Sequence, residues 1–214
     1  MTARPRRTTA SEATAQRLSI LLRGLRVLES EGVATTSSRL LAERFGLHPA
    51  QIRKDLNTFG DFGVRGVGYQ VPVLRERLAA LLGLDRTRTV VVTGAGNLGM
   101  ALADSRNFNE PPFRVAALFD VDPGKVGSRS RTGVQVLAAS EIPAAVPRLG
   151  AEIGVLAVPA AAAPAAAQAL VSAGIGALLN FAPAAVGPFP RVAVKNADLT
   201  LFLEGLSFLL AGAA

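Results

Sequence analysis

The hexapeptide Gly94-Ala95-Gly96-Asn97-Leu98-Gly99 restricts the fold of this chain more than any other stretch. It follows the β-branched run Val90-Val91-Val92 and leads into a helix-compatible segment, Leu98 to about Ser105. Glycines at this spacing between a strand and a helix are the fingerprint of a dinucleotide-binding βα turn. Gly94 permits the tight turn, Gly96 lets the backbone approach a pyrophosphate, and Gly99 permits close packing of the helix on the strand. The helix N-terminus, with Ala95, Asn97 and Leu98 around it, then offers unpaired N–H groups to phosphate. A second apolar run, Val115-Ala116-Ala117-Leu118-Phe119, ends at Asp120, where a carboxylate accepts hydrogen bonds from a ribose 2′-OH. Val121 and Lys125, just beyond, are grouped with it as cofactor-binding candidates. An ordinary tight βα turn would account for the glycines alone. Strand, helix and terminal acid together favour a dinucleotide, and the acid favours NAD(H) over a 2′-phosphorylated cofactor. Arg129 and Arg131, about ten residues on, are the counter-signal.

Charge separates the chain into two parts. Residues 1–88 carry 15 of the 23 Lys and Arg and 8 of the 16 Asp and Glu, so the whole formal charge of +7 lies there. Such asymmetry points to a nucleic-acid or membrane partner for the basic part, against the plainer reading of a solvated arginine-rich face. No apolar run is long enough to span a bilayer, and a cytoplasmic location is expected. The absence of Cys excludes disulfides, thiolate metal sites and thiol redox chemistry. His48, the single histidine, reads as a helix-start residue, so no metal site is expected.

Residues 1–15 lack periodicity and are read as a disordered arm. From Gln16, Leu18, Leu21, Leu22, Leu25 and Leu28 recur at helical spacing, with Arg17, Arg23 and Arg26 on the opposite face. Thr36-Ser37-Ser38 supplies N-caps for a second helix, Arg39 to about Phe45, which Gly46 ends. Pro49 opens a third helix to about Phe59, with Ile52, Leu56 and Phe59 inward and Gln51, Arg53, Lys54 and Asn57 outward. Two short helices joined by a tight turn, the second basic outside, form a helix-turn-helix pattern. The glycine-rich stretch Phe59–Tyr69 predicts a tight β-hairpin, or wing, with Arg65 and Gly66 at its tip. A basic tip of this kind enters a narrow minor groove. A helix over Val73–Leu82 then leads to a boundary near residues 82–88.

Beyond Asp120 short strands are expected at Val134–Val136, Ile153–Ala157, Ala177–Asn180 and Val192–Val194. The alanine-rich run Ala160–Ala173 predicts a helix starting at or after Pro164. Strands alternating with helices imply an α/β doubly wound parallel sheet, a Rossmann domain. Ligands bind outside the carboxyl ends of such strands, which puts Val158-Pro159 and Asn180-Phe181-Ala182 beside the cofactor. The final helix, 198–210, is apolar around most of its circumference and needs cover from more than one side. A second subunit in a dimer and burial within its own domain both satisfy that need. The expected division is an arm 1–15, a DNA-binding domain 16–84, a Rossmann NAD(H)-binding domain 85–197 and a terminal helix 198–214.

Thr36-Ser37-Ser38, Gln51-Ile52-Arg53-Lys54-Asp55-Leu56, Phe59-Gly60 and Arg65-Gly66-Val67-Gly68-Tyr69 closely resemble the winged-helix segment of the Rex redox-sensing transcriptional repressors. So do Gly96-Asn97-Leu98-Gly99, Ala116–Asp120, Val158-Pro159, Leu179–Pro183 and Asn196-Ala197-Asp198-Leu199. The resemblance runs from about Arg17 to Phe208. It implies a homodimer on a palindromic operator, intertwined through a swapped C-terminal helix. It also implies repression of respiratory or fermentative genes that NADH relieves. Arg23 matches a first-helix arginine and Asp198 the acid before the last helix, a pair that bridges opposite subunits in similar proteins. Ser105 stands where similar proteins often carry Tyr, and Leu199 where an aromatic is common; both positions belong to the implied switch.

The main rival is an NAD-dependent oxidoreductase with an accessory basic domain. Such an enzyme needs a general acid or base near the nicotinamide. No His, Cys or Tyr follows Tyr69. A dinucleotide-binding scaffold whose basic domain grips a protein is a third reading, and it lacks a salt-steep affinity for DNA.

Overall fold

The computed structural model describes residues 11–64, 66–109 and 111–212. The chain divides into two compact units between Arg86 and Thr87. The first unit runs α1 (Glu12–Ser30), β1 (Thr35–Thr36), α2 (Ser38–Phe45), α3 (Pro49–Phe59), β2 (Tyr69–Gln70) and α4 (Val71–Leu81). Helix α1 starts four residues before the expected Gln16, so residues 12–15 are helical and not part of a disordered arm. The reason is an N-cap: the Ser11 side chain accepts from the Thr14 N–H, and Glu12 adds favourable charge in the first turn. The rest of the expected arm, residues 1–10, lies outside the described residues.

The core of this unit is Leu18, Leu21, Leu22, Leu25 and Leu28 of α1 against Leu41, Ile52, Leu56, Leu74 and Leu78. Each side chain buried this fully stabilises the fold by about 1.5–3 kcal/mol. Helix α2 passes close over Gly24, where an added Cβ would stand 2.5 Å from the Phe45 ring. Gly46 ends α2 with left-handed backbone, φ 65°, and Pro49 begins α3 three residues later. Strands β1 and β2 pair antiparallel, Thr35 opposite Gln70. Among the described residues the expected hairpin shows one antiparallel bridge, Val64 to Gly68. Glycine is a poor strand former, and the return arm pairs with β1 instead. Gly68 approaches that strand so closely that a Cβ would lie 2.3 Å from the Thr36 carbonyl oxygen.

The second unit contains β3 (Arg88–Thr93), α5 (Asn97–Asp104), α6 (Arg106–Asn109), β4 (Phe113–Asp120) and β5 (Val136–Ala138). It continues with α7 (Ile142–Leu149), β6 (Ile153–Leu156), α8 (Ala163–Ser172), β7 (Ala177–Asn180), β8 (Ala193–Asn196) and α9 (Leu199–Ala211). Its strands form one parallel sheet in the order β5-β4-β3-β6-β7-β8. The order reverses between β3 and β6, which makes their carboxyl ends the topological switch point. Alternate residues of the strands feed two cores. Val91, Phe119 and Leu156 face Ile142, Val146 and Leu170 of α7 and α8; Val90, Val92, Val115 and Val155 pack with Ala103 of α5.

Strand β5 begins at Val136, not at Val134. Val134 closes a tight turn with Ser130, whose N–H donates to the Val134 carbonyl at 2.8 Å, and the sheet pairing starts at Leu118 with Val136. Likewise β8 spans Ala193–Asn196 where Val192–Val194 was expected. Helix α7 has no counterpart in the sequence reading, and it contains two prolines. Pro143 sits in the first turn, where no N–H is needed, and Pro147 costs one internal bond. Helix α9 buries none of its residues; Leu199, Phe202, Leu203, Phe208 and Leu210 are each at least 64% exposed.

Candidate functional site

The glycine turn lies at the switch point of the sheet. Gly94 has φ 92°, and a Cβ there would stand 2.3 Å from the Ala157 carbonyl oxygen and 3.0 Å from a Val158 methyl. That close approach sets Val158, with Pro159 after it, against the turn. At Gly99 a Cβ would fall 1.8 Å from the Gly94 carbonyl oxygen and 3.5 Å from Val92. The third glycine therefore lets α5 pack on the turn itself, more than on the strand. Gly96 is different: a Cβ added there meets nothing within 4 Å. It is the N-cap of α5 and caps it with no side chain. Gly96, Asn97 and Leu98 are exposed, while Ala95 and Gly99 are buried. An open space over an uncapped helix N-terminus fits a pyrophosphate.

Asp120, 9% exposed, ends β4 beside this turn. Its Oδ2 accepts from the Ala95 N–H at 2.7 Å and from Lys125 Nζ at 3.2 Å, and its Oδ1 accepts from the Asp122 N–H at 2.9 Å. Burial pushes its pKa up, but the two backbone donors and the Lys125 ammonium outweigh that and hold the carboxyl below the usual range. It is an ionised acceptor at the place where the adenosine ribose of a dinucleotide belongs. Lys125 also reaches Asp122 at 3.9 Å, and Val121 stands 87% exposed at the strand end.

The loop after Asp120 folds back through the Arg129–Gln135 bridge. Asp104, at the end of α5, accepts from the Arg131 and Thr132 N–H groups and the Thr132 hydroxyl. Partial burial opposes ionisation there, but these donors lower its pKa to about 2. Arg129 donates to the Gly133 carbonyl at 2.9 Å. Arg129 and Arg131 are both exposed in this loop.

At the end of β7, Asn180 is 1% exposed. Its Nδ2 donates to the Ala184 carbonyl and to Asn196 Oδ1, and its Oδ1 accepts from the Ala182 N–H. The Asn180 side chain folds the turn at the end of β7 that carries Phe181 and Ala182. Phe181 donates from its backbone to the Leu156 carbonyl, so the ends of β6 and β7 lie together.

In the first unit, Ser37 caps α2 by accepting from the Leu40 N–H at 3.1 Å. Ser38 Oγ accepts from Arg53 Nη1 at 2.9 Å, joining α3 to the start of α2. Arg53, Lys54 and Asn57 are exposed, and Gly66 is exposed beside the wing tip. Arg65 lies outside the described residues. Gln51, read as outward, is half-buried and donates from Nε2 to Asp55 Oδ1 at 2.8 Å. Arg17, read as a solvent-facing residue of α1, grips Asp55 with two bonds of 2.6 and 2.9 Å. The sequence held a signal for this pair: Asp55 shares the inner stripe of α3 with Ile52 and Leu56, and a buried acid requires a partner.

Four further candidates stand apart from these clusters. Arg23 is exposed on α1. Ser105 ends α5 with extended backbone. Asp198 caps α9 by accepting from the Thr200 N–H at 2.9 Å, and Leu199 is its exposed first residue. Among the described residues no group of three His, Asp or Glu could hold a metal ion, and no helix is long and apolar enough to cross a membrane.

Two family models match: "CoA binding domain" over residues 85–184 and "Putative DNA-binding protein N-terminus" over residues 9–57. The chain is 46% identical over 198 residues to the redox-sensing transcriptional repressor Rex of Thermus thermophilus, covering 92% of each. To the Rex of Desulfitobacterium hafniense it is 42% identical over 197 residues, 92% of this chain and 93% of that one. Among solved structures, it superposes on RSP in complex with β-NAD+ and operator DNA with a TM-score of 0.90, at 36% identity, covering 97% of this chain and 95% of that one. The complex of RSP with β-NADH gives a TM-score of 0.85 at 35% identity, over 97% of each chain.

Proposed function

The chain belongs to the Rex family of redox-sensing transcriptional repressors, and from that premise we propose which of its residues read DNA and which hold NAD(H). The protein represses transcription by binding a palindromic operator as a homodimer in the cytoplasm, and NADH ends that binding. Gly94, Gly96 and Gly99 shape the cradle, the first turn of α5 faces the pyrophosphate, and Asp120 with Lys125 and Val121 holds the adenosine ribose. Val158, Pro159, Phe181 and Ala182 lie toward the nicotinamide, at the other strand ends. When bound, the nicotinamide supplies the redox signal, since its two forms differ by a hydride and one positive charge. Ser37, Ser38, Arg53, Lys54 and Asn57 meet the operator at the major groove, and Arg65 with Gly66 at the minor groove.

The chain senses and does not turn over substrate. Its relatives are named as repressors, and its second unit lacks His, Cys and Tyr for proton transfer. The exposed apolar face of α9 docks on a second copy, where Asp198 pairs with Arg23 of the partner subunit. Ser105 and Leu199 lie toward the nicotinamide and belong to the same switch. The observation that carries the reading is the open, uncapped start of α5 beside an ionised Asp120, in a chain that also bears a basic helix-turn-helix. The test is titration of NADH and of NAD+ into the protein–operator complex, followed by gel shift. NADH dissociates the complex and NAD+ does not; equal responses to the two would refute redox sensing.

A further inference from the structure

Asp55 stands out in the first unit because it is 4% exposed and yet lies on the helix that reads DNA. Arg17 Nε meets its Oδ2 at 2.6 Å and Arg17 Nη2 its Oδ1 at 2.9 Å, while Thr14 Oγ1 accepts from the same Nη2 at 3.2 Å. The Arg17 bond is the main force holding the Asp55 carboxyl below the usual range; burial opposes it and the Gln51 bond adds to it. An ionised carboxylate only accepts hydrogen bonds. Gln51 must therefore turn its amide nitrogen toward Asp55, as it does at 2.8 Å. Its Oε1 and second N–H are left facing away from the carboxylate. One acceptor and one donor side by side match N6–H and N7 of adenine in the major groove. Gln51 is also in the first turn of α3, the part of a recognition helix that touches base edges.

We propose that Asp55, itself held by Arg17, is a positioning residue that presets the Gln51 amide to read an adenine in the operator. The proposal rests on the DNA-reading function given above. Its consequence is that one base preference depends on a residue that never touches DNA.

The experiment is selection from randomised duplexes by the full-length chain in NAD+, followed by affinity measurement on single-base variants of the selected site. Gln51→Ala and Asp55→Asn relax the same A·T pair, from about tenfold discrimination, as expected for a bidentate contact, to about twofold or less. Preferences at other positions, and the slope of affinity against salt, stay as in the wild type. Combining the two substitutions relaxes that pair no further than Gln51→Ala alone. Where Asp55→Asn does not fold, Arg17→Met with Asp55→Leu removes the buried ion pair together, a replacement that folded proteins tolerate. It produces the same relaxation. Asp55→Asn or the double variant weakening every duplex equally, with base preference intact, overturns the proposal alone. A wild-type chain that enriches no sequence overturns the DNA-reading function and the proposal with it.

Discussion

Gly96→Ala separates the cofactor role of the glycine turn from its structural role. Gly94 and Gly99 are glycine for internal reasons, since a Cβ at either falls 2.3 or 1.8 Å from a backbone oxygen. Gly96 has no such reason: its φ of −84° and ψ of −170° suit any residue, and nothing lies within 4 Å of an added Cβ. Restricting the unfolded chain stabilises an alanine variant by about 0.4–1 kcal/mol. Alanine is the poorer N-cap, which costs about 0.5–1 kcal/mol. The two nearly cancel, so the melting temperature of the free protein barely moves. The methyl group instead occupies the space left for the pyrophosphate. A tenfold loss of affinity is about 1.4 kcal/mol. At NADH equal to 100 times the wild-type Kd, ligand stabilisation is about 2.7 kcal/mol, and a tenfold weaker variant keeps about 1.4. Calorimetry gives the Kd directly, and thermal shift with and without NADH gives the stabilisation. An alanine variant that binds NADH with unchanged Kd refutes the assignment of that space to phosphate.

NADPH binds more weakly than NADH, because the ionised Asp120 repels a 2′-phosphate; equal affinities by calorimetry would contradict this. Arg65→Ala lowers operator affinity, by about 1–3 kcal/mol where the side chain reads bases, and unchanged binding in a gel shift would remove the wing from the interface. Asp104 titrates near 2 when folded and near 3.9 when unfolded, so its contribution is complete above about pH 4 and is lost as pH falls through 2. The difference in melting temperature between wild type and Asp104→Ala therefore narrows over that interval in a pH series, and a constant difference would break the argument. Asp198→Asn keeps the cap of α9 and removes the charge. It lowers the ratio of operator affinity in NAD+ to that in NADH, and an unchanged ratio in gel shift excludes Asp198 from the coupling.

The features legible in the sequence were those with local causes. Pro49 and Gly46 bound α3 and α2 because one suits a first helical turn and the other a left-handed cap. The strand Arg88–Thr93 and the turn after it follow from β-branched residues and from the left-handed backbone of Gly94, φ 92°. Features with distant causes were not legible. Asp55, to which Gln51 turns, is buried against Arg17, 38 positions away in the chain and on another helix. Asn180 turns inward because Asn196 and Ala184 arrive to receive its amide. The shift of β5 to Val136 arises from a turn closed by Ser130, a serine with no strong local signal.

The structure of α9 limits what the proposed Arg23–Asp198 pair can do in the switch. Asp198 already caps the helix through Thr200, so Asp198→Ala would remove a cap worth about 1 kcal/mol along with the charge. Its effect on DNA binding would then mix helix stability with coupling, whereas Asn retains the cap. Moving a two-state equilibrium from 1:99 to 99:1 takes about 5.5 kcal/mol of differential binding. An exposed ion pair contributes about 0–1 kcal/mol. The remainder must come from packing, and α9 has the means: its exposed leucines and phenylalanines are each worth about 1.5–3 kcal/mol when buried. Two or three of them buried in one of the NAD+ and NADH states and exposed in the other would supply the whole difference. A symmetric homodimer carries the pair twice, so the ratio in Asp198→Asn falls by about thirtyfold at most. Substitutions that shorten Phe202 or Leu206 change it more.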